Sequence, residues 1–347
     1  MRIAAFILLL AGVAHAGPPT AEQMKSALHS RPEQDEIHWR DTARAPVKCR
    51  VVRADEKTII VEKTLPSGLT SRSLPLAELS AVKFQLTPDE VKLHENCGAA
   101  AVPALRVLWD ARAATLAPGS TDAARTGFAL AKSLRASGEF DEALAALARL
   151  KVIDDLHERI ANDERCIAFL RTAREGNADA ADKLAWEITG DSEDPDSMIP
   201  ATRWLADRNF AELKKIDDEN PRWIEDDEVK LRRERVHHLA LDFSLYPSLF
   251  TASHRNEAAE GLHRAALIYQ FTNETELAIK ALEDVIALYP ETKSGNDAAA
   301  LLAKLKSKQP EAVADAPEAE KPVDSEERNQ ETPAPPPPPK KYNIFGD

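Results

Sequence analysis

Asn273-Glu-Thr-Glu-Leu-Ala-Ile-Lys-Ala-Leu-Glu-Asp-Val-Ile-Ala-Leu-Tyr-Pro290 decides the fold class. Small and large apolar residues recur in it at helical spacing, and a proline stops the run, so it reads as the second helix of a helical hairpin. The same layout returns at Gly138, Phe140, Ala143 and Leu147. The chain therefore contains diverged copies of one hairpin, and stacking them supplies the core. A chain of this kind is an interaction scaffold before it is an enzyme.

Composition agrees. Of 347 residues 43% are hydrophobic but only 5% aromatic, which suits helices packed through small side chains. Lys plus Arg number 45 against 58 Asp plus Glu, a net charge of -13. Nucleic acid is thus not an expected partner, nor is an anionic membrane surface.

The N-terminus carries an export signal. Arg2 is followed by an apolar run over 3–13, and Ala14-His-Ala16 places small residues where a signal peptidase needs them. Residues 1–16 are therefore expected to be a signal peptide cleaved after Ala16, the alternative being an uncleaved helix. The apolar run is about half of the ~20 residues a spanning helix requires, and Gly17 replaces the lipoprotein cysteine. The expectation is a periplasmic or extracellular protein with no membrane span after cleavage. Cys49, Cys97 and Cys166 form neither a zinc pattern nor a redox pair. They read as buried small hydrophobes, with a Cys49–Cys97 disulfide as the alternative in an oxidising compartment.

Residues 17–35 are polar and read as a flexible lead-in. Residues 36–86 read as β structure: Val47-Lys-Cys-Arg-Val-Val-Arg alternates, Thr58-Ile-Ile-Val-Glu is β-branched, Pro66-Ser-Gly68 is a turn, and two further strands fall at 71–76 and 81–86. Trp39-Arg-Asp, the two strands and Leu74-Pro-Leu-Ala-Glu-Leu79 resemble the small Src-homology-type barrels at the front of exported bacterial proteins. The resemblance implies a small β-barrel domain that is either structural or peptide-binding.

Residues 87–308 read as helical throughout. Thr87-Pro-Asp-Glu starts a helix, with Thr as the cap and Pro at the first helical position. Helices follow at 102–116, 124–137 and 140–151, with Gly138 as a tight turn. Ala131 and Ala143 stand where the two helices touch. This pair resembles the tetratricopeptide repeat. A more eroded pair at 166–174 and 178–188 flanks Gly176, with Ala181 at the close contact. A third pair is expected around 204–215, a long helix at 225–245 closed by Tyr246-Pro247, a last pair at 258–271 and 274–289 closed by Tyr289-Pro290, and a capping helix at 298–306. The two Tyr-Pro steps precede matching stretches, Thr251-Ala-Ser-His-Arg-Asn-Glu-Ala-Ala259 and Glu291-Thr-Lys-Ser-Gly-Asn-Asp-Ala-Ala299. Such pairs are similar to repeats in periplasmic proteins of the outer-membrane assembly and Tol-Pal systems. That resemblance implies a mainly α, TPR-like solenoid of about five pairs that holds other proteins.

Leading helices line the concave face of such a solenoid. Arg125, Phe128, Lys132 and Arg135 would form a basic row at one end, and His263, Leu267 and Gln270 would line the other. The acidic stretch 217–228 holds one aromatic, Trp223, which either anchors a basic peptide or plugs the gap before the long helix. His238 with Asp242, and Glu260 with His263, have metal-ligand spacing, but a di-iron bundle needs more copies, so no metal and no cofactor are expected. Common hydrolase, nucleotide and metalloprotease motifs do not occur. Residues 309–347 read as a disordered, Pro-rich tail, at whose end Tyr342, Ile344 and Phe345 look like a short recognition motif on a spacer. The function expected is a non-enzymatic adaptor for a protein or peptide of unknown identity. An envelope spacer is the alternative, and a metal-dependent hydrolase comes third.

Overall fold

The structure, a computed structural model, describes residues 17–95 and 97–307. It opens with α1 (Ala21–Ser30), where a flexible lead-in was expected. Thr20 and Gln23 cap it reciprocally, the Gln23 amide donating to Thr20 Oγ1 at 3.2 Å and the Thr20 amide to Gln23 Oε1 at 2.8 Å. Met24 and Leu28, one turn apart, are buried. Only two apolar anchors hold this helix, so its polar composition hides it.

Five antiparallel strands follow: β1 (Asp35–Trp39), β2 (Val47–Ala54), β3 (Thr58–Leu65), β4 (Gly68–Pro75) and β5 (Leu79–Lys83). Their order is β4-β3-β2-β1-β5, so the sheet is open, with β4 and β5 as its edges, where a closed barrel was expected. Ile59 and Val61 alternate into the core. From Lys63 to Leu65 on β3, and along most of β4, the residues are exposed, so the hairpin projects away rather than curling round to meet β5.

Buried charges join this sheet to the first helices. Glu90 on α2 (Pro88–Glu95) accepts from Arg112 Nη2 on α3 (Val102–Arg112) at 2.5 Å and from Arg31 Nη1 at 3.3 Å, while Arg31 also pairs with Asp35. Asp35 in turn accepts the Val51 and Gln85 amides at 2.8 and 3.0 Å. Burial pushes the Asp35 carboxyl above its usual range, against the pull of Arg31.

The rest is a helical repeat fold. The pairs are α4 (Thr121–Ser137) with α5 (Phe140–Leu150), α6 (His157–Arg174) with α7 (Ala178–Asp191), α8 (Pro195–Glu219) with α9 (Asp227–Phe250), and α10 (Arg255–Phe271) with α11 (Thr275–Leu288), closed by α12 (Lys293–Lys306). Among the described residues these are four pairs and a closing helix. Three turns share one geometry. Gly138, Gly176 and Asn273 have φ of 80°, 78° and 64°, and the residue after each donates five residues back: Glu139 to Leu134 O at 2.8 Å, Asn177 to Thr172 O at 3.2 Å, Glu274 to Tyr269 O at 2.8 Å. The same distance beyond each turn stands a fully buried alanine, Ala143, Ala181 or Ala278.

The third pair departs from expectation twice. The segment around 204–215 is the interior of the single helix α8, whose partner is α9. Tyr246-Pro247 does not close α9, which runs on to Phe250 before Thr251 caps it by donating its amide to Pro247 O at 3.1 Å. Proline removes one amide donor but does not forbid a helix whose surroundings hold it. Here α10 packs so close that a Cβ on Gly261 would stand 2.2 Å from Ser244 O. Tyr289-Pro290 does end α11, where Thr292 Oγ1 donates to Tyr289 O at 2.9 Å and accepts from the Gly295 amide at 3.0 Å. Successive apolar clusters, each shared by neighbouring helices, form the solenoid core.

Candidate functional site

On α4, residues 125, 128 and 132 recur at helical spacing on one face. This face lines a cavity of about 500 Å³. Its other walls are the end of α2 with Cys97, the α5–α6 connection with Ile153 and Leu156, α6 with Arg159 and Asp163, and Asp196 in the first turn of α8. Leading helices of three successive pairs thus meet around it.

The cations of the expected basic row have different fates. Arg125 is exposed and forms no ion pair among the described residues. Phe128 is buried under Arg159, whose guanidinium carbon lies 3.9 Å from the ring centroid, a cation–π contact. Lys132 Nζ donates to Asp196 Oδ1 at 2.6 Å, and His254 Nε2, just before α10, stands 3.4 Å from the same oxygen. Burial opposes the charge on Asp196, but the Lys132 hydrogen bond and the charges of Lys132, Arg135 and His254 outweigh it and hold the carboxyl below its usual range. One carboxylate thereby ties α4, α8 and the start of α10 together.

Arg135 is not a groove residue. It is buried, and it donates to Asp163 Oδ1 and to the Asp196 carbonyl, each at 3.0 Å. The row turns inward there because Asp163 on α6 and Asp196 at the start of α8 both accept from Arg135, which spacing along α4 alone does not reveal.

His94 forms the back wall. Thr126 Oγ1 donates to Asp122 O at 3.0 Å, so it accepts from His94 Nε2 at 3.1 Å, which leaves His94 Nδ1 as a buried acceptor with no partner among the described residues. Burial pushes this imidazole down to about 4, with Arg112 and Arg125 adding to the effect. It is neutral at pH 7. Cys97 beside it is a free thiol pushed up by burial. Cys49 and Cys166 are also free, and burial raises their thiols to about 12 and about 11. The disulfide alternative is therefore not formed.

The remaining expected residues lie apart from the cavity. Trp223 is half-buried under Arg233, whose guanidinium carbon is 4.0 Å from the ring centroid and which grips Asp217 at 2.6 and 2.9 Å. Asp226 caps α9 by accepting from the Glu228 and Val229 amides. Trp223 and two of the acidic residues around it thus serve the α8–α9 connection. His263 and Gln270 are half-buried on α10 and Leu267 is 37% exposed, and none of the three lines the cavity. Glu260, one turn before His263, is held by Arg203 at 2.7 Å and Arg264 at 3.2 Å. No group of three His, Cys, Asp or Glu able to hold a metal occurs among the described residues. Tyr342, Ile344 and Phe345 lie outside the described residues.

Sequence reasoning missed Arg159, Asp163 and Asp196 as neighbours of the row. The first turns of α6, His157-Glu-Arg-Ile-Ala-Asn-Asp-Glu-Arg, offer one large apolar residue, Ile160, so periodicity placed the helix start too late.

Residues 260–292, covering most of α10 and all of α11, match the tetratricopeptide repeat family. A search of curated proteins and a search of solved structures found no match. The repeat suggests a protein-interaction role, and families of this repeat are typically non-enzymatic. No described helix is long and apolar enough to cross a membrane.

Proposed function

We propose that this protein is an exported, non-enzymatic adaptor that captures a protein segment in the cavity between the leading helices α4, α6 and α8. One observation carries the reading: successive repeat pairs converge on one cavity of about 500 Å³, with the guanidinium groups of Arg125 and Arg159 free of ion pairs among the described residues. Apolar side chains from Ala124, Ile153 and Leu156 line it, so it offers burial for an anchor residue together with unpaired charge at the rim. The apolar run over 3–13 and the small residues of Ala14-His-Ala16 support a periplasmic or extracellular location for the mature chain. The motif at Tyr342, Ile344 and Phe345 would serve as a second recognition element on its spacer, and the open sheet as a structural module.

The test is capture from an envelope fraction by the full mature chain and by an Arg125→Glu/Arg159→Glu variant. A small set of proteins retained by the first and lost by the second supports the adaptor. Equal recovery from both chains, or enrichment of cell wall alone, points to the spacer. Metal analysis of the purified protein decides the hydrolase reading.

A further inference from the structure

We propose that the acidic part of the chain's own C-terminal segment, residues 318–331, docks over this cavity and competes with the captured partner. As regulation of capture this rests on the function proposed above, whereas the docking itself does not. Residues 318–331 carry six carboxylates against two cations, Lys321 and Arg328, with Val323 among them. At the cavity rim Arg125 and Arg159 are cations without an ion pair among the described residues, accompanied by one carboxylate in the same condition, Asp155, while the other charges are already matched: Lys132 with Asp196, Arg135 with Asp163. In a chain of net charge -13, such a rim is a local attraction for an acidic segment in reach.

Reach follows from the fold. His254 stands 3.4 Å from Asp196 in the cavity wall, α10 starts at the next residue, and α12 packs along α10 with Asp297 near His263. At about 1.5 Å of rise per residue, these steps bring Ser307 within roughly 45 Å of the cavity. The seventeen residues from Ser307 to Asp324 span about 53 Å when extended at ~3.1 Å per residue. Tethering within reach makes the contact intramolecular, so that a weak charged contact is populated without a high protein concentration.

Cys97 provides the readout, because it lines the cavity while Cys49 and Cys166 are buried. The rate of maleimide addition to Cys97, located by peptide mass, is compared between the full chain and a full chain with the six carboxylates of 318–331 changed to their amides. The expected result at low ionic strength is a rise of about threefold in the variant, and a similar rise in the unaltered chain in ~0.5 M salt, where the Debye length shrinks to a few ångströms. The Arg125→Glu/Arg159→Glu chain should label as fast as the amide variant. Amide hydrogen exchange over 124–132 and 153–163, read on the same chains, should be slower wherever labelling is slower. Equal labelling and equal exchange in the unaltered and amide chains would overturn the docking. Deleting residues 340–347 should leave the rate unchanged; if that deletion alone produces the full rise, the occupant is the terminal apolar motif and the assignment to 318–331 is wrong. Tail variants that label faster yet capture no protein sink the proposed function and leave the docking standing.

Discussion

The first and last helix pairs, α4–α5 and α10–α11, turn on the same backbone geometry and present different chemistry. Gly138 and Asn273 hold the same left-handed conformation, and Ser137 and Thr272 each donate to the following glutamate, Glu139 and Glu274, at 2.9 and 2.7 Å. Counted back from those turns, Arg125, Phe128, Lys132 and Arg135 occupy the positions that Glu260, His263, Leu267 and Gln270 occupy in the last pair. In the first pair these positions face a cavity and a buried ion pair. In the last pair Glu260 is held by arginines and Leu267 lies partly in solvent. The hairpin is therefore specified by a few turn and contact residues, and the intervening helix face is free to take up whatever the neighbouring pairs require.

The largest expected break in this comparison is Arg135→Ala. It leaves Asp163, whose side chain is 15% exposed, without its cation, and removing one member of a buried pair costs about 3 to 5 kcal/mol. Gln270→Ala at the matching position of the last pair should cost well under 1 kcal/mol, because Gln270 is only half-buried. Denaturant unfolding of both variants tests the contrast, which fails if the two losses are equal.

Ala143→Trp should unfold the first pair locally, since the site is fully buried against the leading helix and overpacking of this kind costs about 1 to 3 kcal/mol or more. Ala278→Trp should do the same to the last pair. A melting temperature unchanged in either variant would mean that the shared alanine is not a close-contact position.

His94 sharpens the comparison through pH. Its folded value, about 4, lies below its ordinary 6.5, so between those values the unfolded chain binds a proton that the folded chain refuses. Stability then rises with pH across this window and is lost as pH falls from 6.5 towards 4. Solvent reaches part of the ring, so the total effect should be on the order of 1 to 2 kcal/mol. His94→Asn should flatten the gradient relative to the parent chain over that range, and an unchanged slope would remove His94 as its source.

The smallest effects lie at the turns. Gly138→Ala strains a φ of 80° and pushes a Cβ to within 1.9 Å of Arg174 Nη1, for about 1 to 2 kcal/mol. Asn273→Gly at the same conformation should change stability by only a few tenths of a kcal/mol. Paired chemical denaturation curves show whether the two turns differ in this way.

Gly138 and Gly176 were legible as turns because glycine in the left-handed region has a local physical reason, whereas Asn273, read as the start of a helix, was shown as a left-handed turn only by the structure. Two strands of the sheet were legible for the same kind of reason, alternation in Val47-Lys-Cys-Arg-Val-Val-Arg and β-branching in Thr58-Ile-Ile-Val-Glu, whereas β1, Asp35–Trp39, was not read as a strand. Less was legible where anchors are sparse. The helix α1 rests on Met24 and Leu28, and the start of α6 on Ile160, so neither showed in composition or periodicity. Tyr246-Pro247 looked like Tyr289-Pro290, yet α9 runs through Pro247 to Phe250 while α11 stops at Leu288.

The candidate site divides in the same way. The sequence by itself determined that Arg125, Phe128 and Lys132 share one face of a leading helix, because that is a property of 3.6-residue periodicity within one segment. Tertiary structure alone decided that Arg159 covers Phe128, that Asp196 ties Lys132 to His254, and that Arg135, one turn along the same face, is buried against Asp163. Those partners come from segments whose meeting depends on how successive pairs stack, and no spacing within α4 encodes it.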